Sequence, residues 1–363
     1  MAASIRVQTL LAHLPRCQER RPRIETTTHE PSNQAQRIGR VEMSEAGGSV
    51  APQHHPVLVE RVVELLAPAL AEPGSVYVDG TLGLGGHAAA MLEAAPNASC
   101  IGIDRDPQAL ALAGERLAGF GSRVQLHRAI YHELPEVLAV AGRPKVQAIL
   151  LDLGLSSLQI DATDRGFAYA VDAPLDMRMN PDQEFTAATI VNTWPAEEIA
   201  RILRDYSDER FARRIADRIV AARPLAGSAA LVAVVTDALP AAARYGGGHP
   251  AKRTFQALRI AVNAELDSLA GVLPAALAAL APGGRLVVLA YHSGEDRLVK
   301  RAFTQATTDR VPAGVPSVPA GYAADFTLLT RGAERASETE IAFNSRAKPV
   351  RLRALARKQE EAR

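Results

Sequence analysis

Three aspartates each close a short apolar run: Asp79 after "SVYV", Asp104 after "SCIGI" and Asp152 after "VQAILL". Directly behind the first lies "GTLGLGGHAAA", which carries Gly80, Gly83, Gly85 and Gly86. A glycine-rich turn lets the backbone approach a ligand closely and adopt positive φ. A triphosphate loop would need G-x-x-x-x-G-K-[ST]. Here His87 follows Gly86, and no lysine occurs between residues 51 and 144, which excludes that class. The dinucleotide fingerprint G-x-G-x-x-G is met at Gly83 and Gly85 but has Ala88 in third place, a replacement it tolerates, so this reading stays open.

Asp104 suits a ribose, because a carboxylate there can accept from both hydroxyls, whether the ligand is a dinucleotide or S-adenosylmethionine (SAM). Asp79 separates the two. Beside the glycine turn its charge would repel a pyrophosphate and attract the amino group of SAM. At ~4 Å and an effective dielectric of about 20, either effect is on the order of 4 kcal/mol. The acid and the glycines together favour a cationic ligand without phosphate. Asp152 falls at the strand end where doubly wound sheets bind ligands. Tyr131, after the third apolar run, is placed to pack on an adenine or else belongs to the core.

These residues need a parallel sheet to bring them together. From about residue 54, apolar runs of β type (75–79, 98–104, 123–130 and 146–154) alternate with helical patterns, which predicts βαβ units buried on both faces. The rhythm stops at residue 161. Up to about 250 there are polar turns and amphipathic helices, read as a mainly helical insertion. A long helix follows, with an interruption expected at Pro274, and "GGRLVVLAYHS" supplies a fifth strand. "ADFTLLT" and "EIAFNSRAKPVRLRALAR" suit two extended runs in a hairpin at the sheet edge. The expected organisation is residues 1–50 as a disordered extension and 51–160 as the first part of a Rossmann-like domain. Residues 161–250 form the inserted helical substrate domain, 251–345 the second part of the Rossmann-like domain, and 346–363 a basic C-terminal tail.

Composition bounds the rest. The chain has 363 residues, a net charge of +1 and 47% hydrophobic residues, so any nucleic-acid contact must come from local patches. No apolar run reaches the roughly 18 residues of a membrane span. Cys17 and Cys100 form no CxxC and no disulfide framework, which fits a reducing compartment and predicts a cytoplasmic protein. Cys100 reads as a buried small hydrophobe. Glu19, Glu25, Glu30, Glu42 and Glu45 are too many acids for an organellar leader, and Met43 is an alternative start.

Eight blocks, in order from about residue 54, carry a resemblance to a known family. They are "HHPVLVERV", "VDGTLGLGGHAAAML", "GIDRDPQAL", "LLDLGLSSLQID", "RGFAYAVDAPLDMRMN", "ERFARRIADRIV", "HPAKRTFQALRIAVNAEL" and "YHSGEDRLVKRAF". The chain resembles the MraW-type (RsmH-type) methyltransferases, which make N4-methylcytidine in small-subunit (16S) ribosomal RNA near the decoding site. The resemblance implies an α/β fold, a SAM-dependent methyltransferase Rossmann-like doubly wound sheet with an inserted mainly helical domain. It implies SAM contacts at Gly85, Gly86, His87, Asp104, Tyr131, Asp152 and Gln159, to which Asp79 is added here. Two departures stand out. "YSDER" replaces a Tyr-Gly-Glu-Glu-Arg run, where Ser207 can cap the next helix, and "YHSGED" replaces Phe-His-Ser-Leu-Glu-Asp.

The implied chemistry is methyl transfer from the sulfonium to a cytosine N4, with no metal required. Carbon-5 methylation would need a cysteine nucleophile, and neither cysteine is expected near the cleft. Asp152 or nearby backbone carbonyls are the expected acceptors of an N4 hydrogen, with Ser156 and Ser157 lining the base pocket. His292 either faces the base or belongs to a capping motif, Ser293-x-x-Asp296. The expected partner is small-subunit ribosomal RNA, within the small ribosomal subunit, and the basic residues of 346–358 are expected to hold its phosphates. The arginines around 201–218, interleaved with acids, read as a salt-bridged face. Oligomeric state is open, a homodimer included. The readings left in competition are a DNA cytosine-N4 methyltransferase, a non-catalytic ribosome assembly factor and an NAD-dependent oxidoreductase.

Overall fold

A computed structural model of the chain describes residues 55–161, 163–244, 248–310 and 322–359. The expected disordered extension, Met43 and Cys17 lie outside the described residues. Seven strands form one sheet in the order β3-β2-β1-β4-β5-β7-β6. They are β1 (Val76–Asp79), β2 (Ser99–Asp104), β3 (Val124–Arg128), β4 (Val146–Asp152), β5 (Leu280–Ala290), β6 (Phe326–Leu328) and β7 (Arg351–Arg357). The first five are parallel, and β7 runs antiparallel to both β5 and β6.

The period-2 alternation of the strands sorts their side chains between two cores. Val76, Val78, Ile149, Leu151, Leu286 and Val288 face one side. There they meet α4 (Leu134–Val140), α12 (Glu265–Ala279) and α13 (Ser293–Thr307). Tyr77, Cys100, Ala148, Leu150, Val287 and Leu289 face the other side, against α1 (Val59–Leu66), α2 (Gly86–Ala94) and α3 (Pro107–Leu117). The sheet is therefore doubly wound, an α/β Rossmann-like fold, and its strand order reverses between β1 and β4. Cys100 is fully buried, as expected.

The insertion is helical, as its patterning predicts. After a short α5 (Ser157–Asp161) come α6 (Ala187–Thr193), α7 (Ala196–Ser207), α8 (Ala212–Ala221), α9 (Ser228–Ala238) and α10 (Ala241–Arg244), which lead into α11 (Lys252–Asn263). Ile199, Leu203, Ile215, Ile219 and Leu231 share a core with Phe255 and Leu258 of α11. The helical unit therefore runs past residue 250, the boundary that the loss of polar turns suggests. Among the described residues no single helix is long and apolar enough to cross a membrane.

Four local expectations are corrected. The break in the long helix comes at Ala264, at φ 48, and Pro274 lies inside α12. The side chain of Asn263 explains the position. Its Nδ2 donates to the Met177 carbonyl (2.7 Å) and its Oδ1 accepts from the Met179 amide (2.8 Å), which fixes the end of α11 on the insertion's first loop. "EIAF" is helical in α14 (Glu338–Phe343) because Ser337 caps it by accepting from the Glu340 amide. Ser207 caps nothing: it ends α7 and donates to the Leu203 carbonyl. The basic tail is not a tail, since residues 351–357 form an interior strand between β5 and β6.

Candidate active site

The three aspartates end β1, β2 and β4, as their place after apolar runs predicts. Above those ends lies a cavity of about 360 Å³, within the roughly 300–1,000 Å³ usual for ligand pockets. Its floor is the turn from β1 into α2. Gly85 caps α2 at φ 73, a left-handed conformation that a glycine adopts without penalty. Gly86 has no room for a side chain, because a Cβ there would stand 2.5 Å from Pro56 Cγ. Gly86 lines the cavity, whereas Gly85 does not and packs back on Leu117. Gly85 shapes the turn that the cavity rests on.

Asp104 ties the turn to β2. Its Oδ2 accepts from the Gly83 amide (2.8 Å) and its Oδ1 from the Asp106 amide (2.9 Å). A carboxylate has about four acceptor positions, so two remain for a ligand on the cavity side. Burial raises the pKa of Asp104, and the two amide bonds oppose that rise. Asp79 departs from expectation. It is 1% exposed, does not line the cavity, and accepts from the Tyr77 hydroxyl (3.0 Å) and the Thr81 amide (3.2 Å). Burial pushes its pKa up to about 6. In this structure its two bonds brace the end of β1.

Asp152 is the acid that faces the cavity. Its Oδ1 accepts from the Tyr291 hydroxyl (2.7 Å), and its amide donates to Thr81 Oγ1 (2.6 Å). Its Oδ2 lies 3.6 Å from His87 Nδ1. The other nitrogen of His87, Nε2, is 2.9 Å from the Val57 carbonyl. A carbonyl only accepts, so Nε2 carries the hydrogen. The Nδ1 edge therefore faces the carboxylate. Burial raises the Asp152 pKa, against the opposing effects of His87 and the Tyr291 hydrogen bond.

Tyr131 and Gln159 also line the cavity. The Tyr131 hydroxyl donates to the Glu265 carbonyl (3.0 Å), and burial raises its pKa. Glu265 in turn holds Arg259, a cavity residue, by two hydrogen bonds of 2.8 Å. Gln159 Oε1 accepts from the Ser156 amide (3.1 Å), which folds "GLSS" over the cavity beside Ser156 itself. Ser157 opens α5, and its side chain lies outside the described residues.

His292 does not line the cavity. It caps α13: its Nδ1 accepts from the Gly294 and Glu295 amides, and its Nε2 stands 3.2 Å from Glu295 Oε1. Burial alone would raise the Glu295 pKa, but the bond and charge of His292, with Arg259, outweigh it and hold the carboxyl below its usual range. The capping motif is His292-x-x-Glu295, one residue upstream of the expected Ser293-x-x-Asp296. Tyr291, the residue before it, is the one that lines the cavity. Sequence reasoning missed it, along with Thr81 and Arg259. The only available signal for Tyr291 was its hydroxyl where the resembled pattern has Phe.

Known proteins match along most of the chain. The MraW methylase family matches residues 51–358. A protein named ribosomal RNA small subunit methyltransferase H from Mycolicibacterium smegmatis is 57% identical over 310 residues, 83% of each chain. Its namesake from Frankia alni is 59% identical over 308 residues, 84% of this chain and 95% of that one. With a cavity at the reversal point of a doubly wound sheet, and with these matches over its length, the chain belongs to the MraW methylase family.

Proposed function

We propose that the protein is a SAM-dependent methyltransferase acting on the exocyclic N4 of one cytosine in small-subunit ribosomal RNA, near the decoding site. The observation that carries the reading is Asp152, a partly buried carboxylate at the cavity wall with one oxygen held by Tyr291 and the other turned to His87. The names of the relatives support the RNA, and the resemblance of the eight sequence blocks supports N4.

The residues present fit SAM. Asp104 keeps acceptor positions for two ribose hydroxyls, Tyr131 offers an aromatic wall, and the backbone at Gly83 and Gly86 permits close approach. Bound there, SAM would supply an activated methyl group on its sulfonium. N4 is a weak nucleophile, because its lone pair is shared with the ring, so positioning and a proton acceptor matter most. When N4 gains a methyl group it must lose one proton. Asp152 accepts that proton, at the cavity wall beside Tyr291. A carboxyl with a raised pKa holds a proton better at neutral pH than an ordinary one does. Ser156 and Gln159 shape the wall beside the base, which must be unstacked to enter.

The test uses small ribosomal subunits from cells lacking this protein. They are incubated with the protein and methyl-labelled SAM, and the digested RNA is resolved by mass spectrometry. N4-methylcytidine at one site is expected. Label in another nucleoside, or none despite measured SAM binding, refutes the reading.

A further inference from the structure

Five basic side chains converge on one face beside the cavity: Arg297 and Lys300 from α13, Arg335 from the segment before α14, and Arg351 and Arg353 from β7. Asp296 is the one acid among the residues lining this groove. It pairs with Arg353 at 2.8 Å, both side chains largely buried, and that pair fixes the groove's wall. Arg297 makes only a long, exposed contact of 3.5 Å with Asp208. Lys300, Arg335 and Arg351 have no ion-pair partner among the described residues. Two arginines of the helical insertion differ: Arg201 pairs with Glu198, and Arg213 with Glu197 and Asp217. The charge that the sequence spreads along a supposed tail is thus gathered on the sheet by strand alternation, which puts Arg351 and Arg353 on the same face.

Position adds the second argument. Arg351 is the register partner of Ala290, so their Cα atoms stand about 4.5–5.5 Å apart. The next residue is Tyr291, whose hydroxyl holds Asp152. Ser293, two residues on, already lines the groove. The chain that lines the groove at Ser293 is thus two residues from Tyr291 in the cavity wall.

The structure assigns this groove to the phosphates of single-stranded RNA flanking the base that enters the cavity. The assignment rests on the RNA-methylation reading. It takes phosphate rather than bases, because the lining is charged and offers no aromatic ring for stacking.

The test is fluorescence anisotropy of the full-length protein with a labelled single-stranded RNA oligonucleotide of mixed sequence, titrated at several salt concentrations. The triple variant K300Q/R335Q/R351Q is expected to bind roughly tenfold more weakly or worse, with a log–log salt slope shallower by about 2, since each lost phosphate contact removes about 0.7. R213Q, on the paired face, should bind as the parent does. K300E/R335E changes only exposed positions and should weaken binding at least as much, which guards against misfolding of the triple variant. SAM binding by calorimetry should be the same in all four proteins. Parent-like affinity and slope in both groove variants overturn the assignment. Loss of subunit binding with unchanged binding to naked RNA also overturns it, in favour of an acidic protein partner. If subunits are not methylated by the parent yet the groove variants lose RNA affinity, the methylation reading fails and the groove stands.

Discussion

Replacing Tyr291 with Phe should move the pH dependence of turnover and leave its ceiling in place. The hydroxyl donates to Asp152 Oδ1 at 2.7 Å and stabilises the ionised carboxylate. A hydrogen bond to a charged group contributes about 1.5–3 kcal/mol. Taking about 2 kcal/mol, its loss favours the protonated form about 30-fold, at 1.36 kcal/mol per tenfold change. The sign follows from the acceptor role: only ionised Asp152 can take the N4 proton. The variant keeps its proton to higher pH, so the acid limb of the rate profile shifts toward higher pH. On that limb the variant should be about 30-fold slower than the parent at equal pH. On the alkaline plateau the two should agree within about twofold, because the ring still fills its place and the resembled family pattern has Phe there. The assay is single-turnover methylation of subunits with saturating SAM across the pH range. Superimposable acid limbs would refute the assignment of Asp152 as the proton acceptor, and so would a loss confined to the plateau.

Three further outcomes follow from the same geometry. Asp79 is raised from 3.8 to about 6, so its contribution to stability is present below about pH 4 and is lost as pH rises through 6; Asp79→Asn should remove that loss, about 3 kcal/mol between those limits, and parallel pH–stability curves in urea would count against it. Asp104→Asn replaces one acceptor by a donor facing the Gly83 or Asp106 amide, at about 1–3 kcal/mol, and should weaken SAM binding about tenfold or more by calorimetry. Gly166 has φ 68, and a Cβ there would lie 2.1 Å from the Pro174 carbonyl oxygen, so Gly166→Ala should destabilise the protein by roughly 3 kcal/mol, read as a lower thermal midpoint.

The sequence announced the parallel sheet because β1, β2 and β4 are buried almost throughout, so each of these runs is largely apolar and stops at an acid. The ends of β1, β2 and β4 could be read for that reason. What those acids do could not. Asp79 and Asp152 have the same local pattern, yet one bonds its near neighbours Tyr77 and Thr81 while the other faces the cavity and meets Tyr291, a partner 139 residues away. His292 misled for the opposite reason: a histidine after a strand reads as functional, while its capping bonds depend on the direction in which α13 leaves the sheet. The break at Ala264 had no signal, since it is set by Asn263 reaching a loop more than 80 residues away.

The place of β7 has a consequence for how the protein is made. Synthesis runs from the N-terminus, yet this late strand sits inside the sheet, between β5 and β6. Until it emerges, β5 presents an open row of amides and carbonyls, and β6 has no neighbour to hold it. Open edges of this kind pair with other chains. A ribosome that stalls shortly before residue 351 would therefore release a product with its β1–β4 cavity walls in place and a sticky flank, a target for chaperones and proteases. Quality control of this protein therefore turns on the emergence of β7, after the acids of the cavity have been translated.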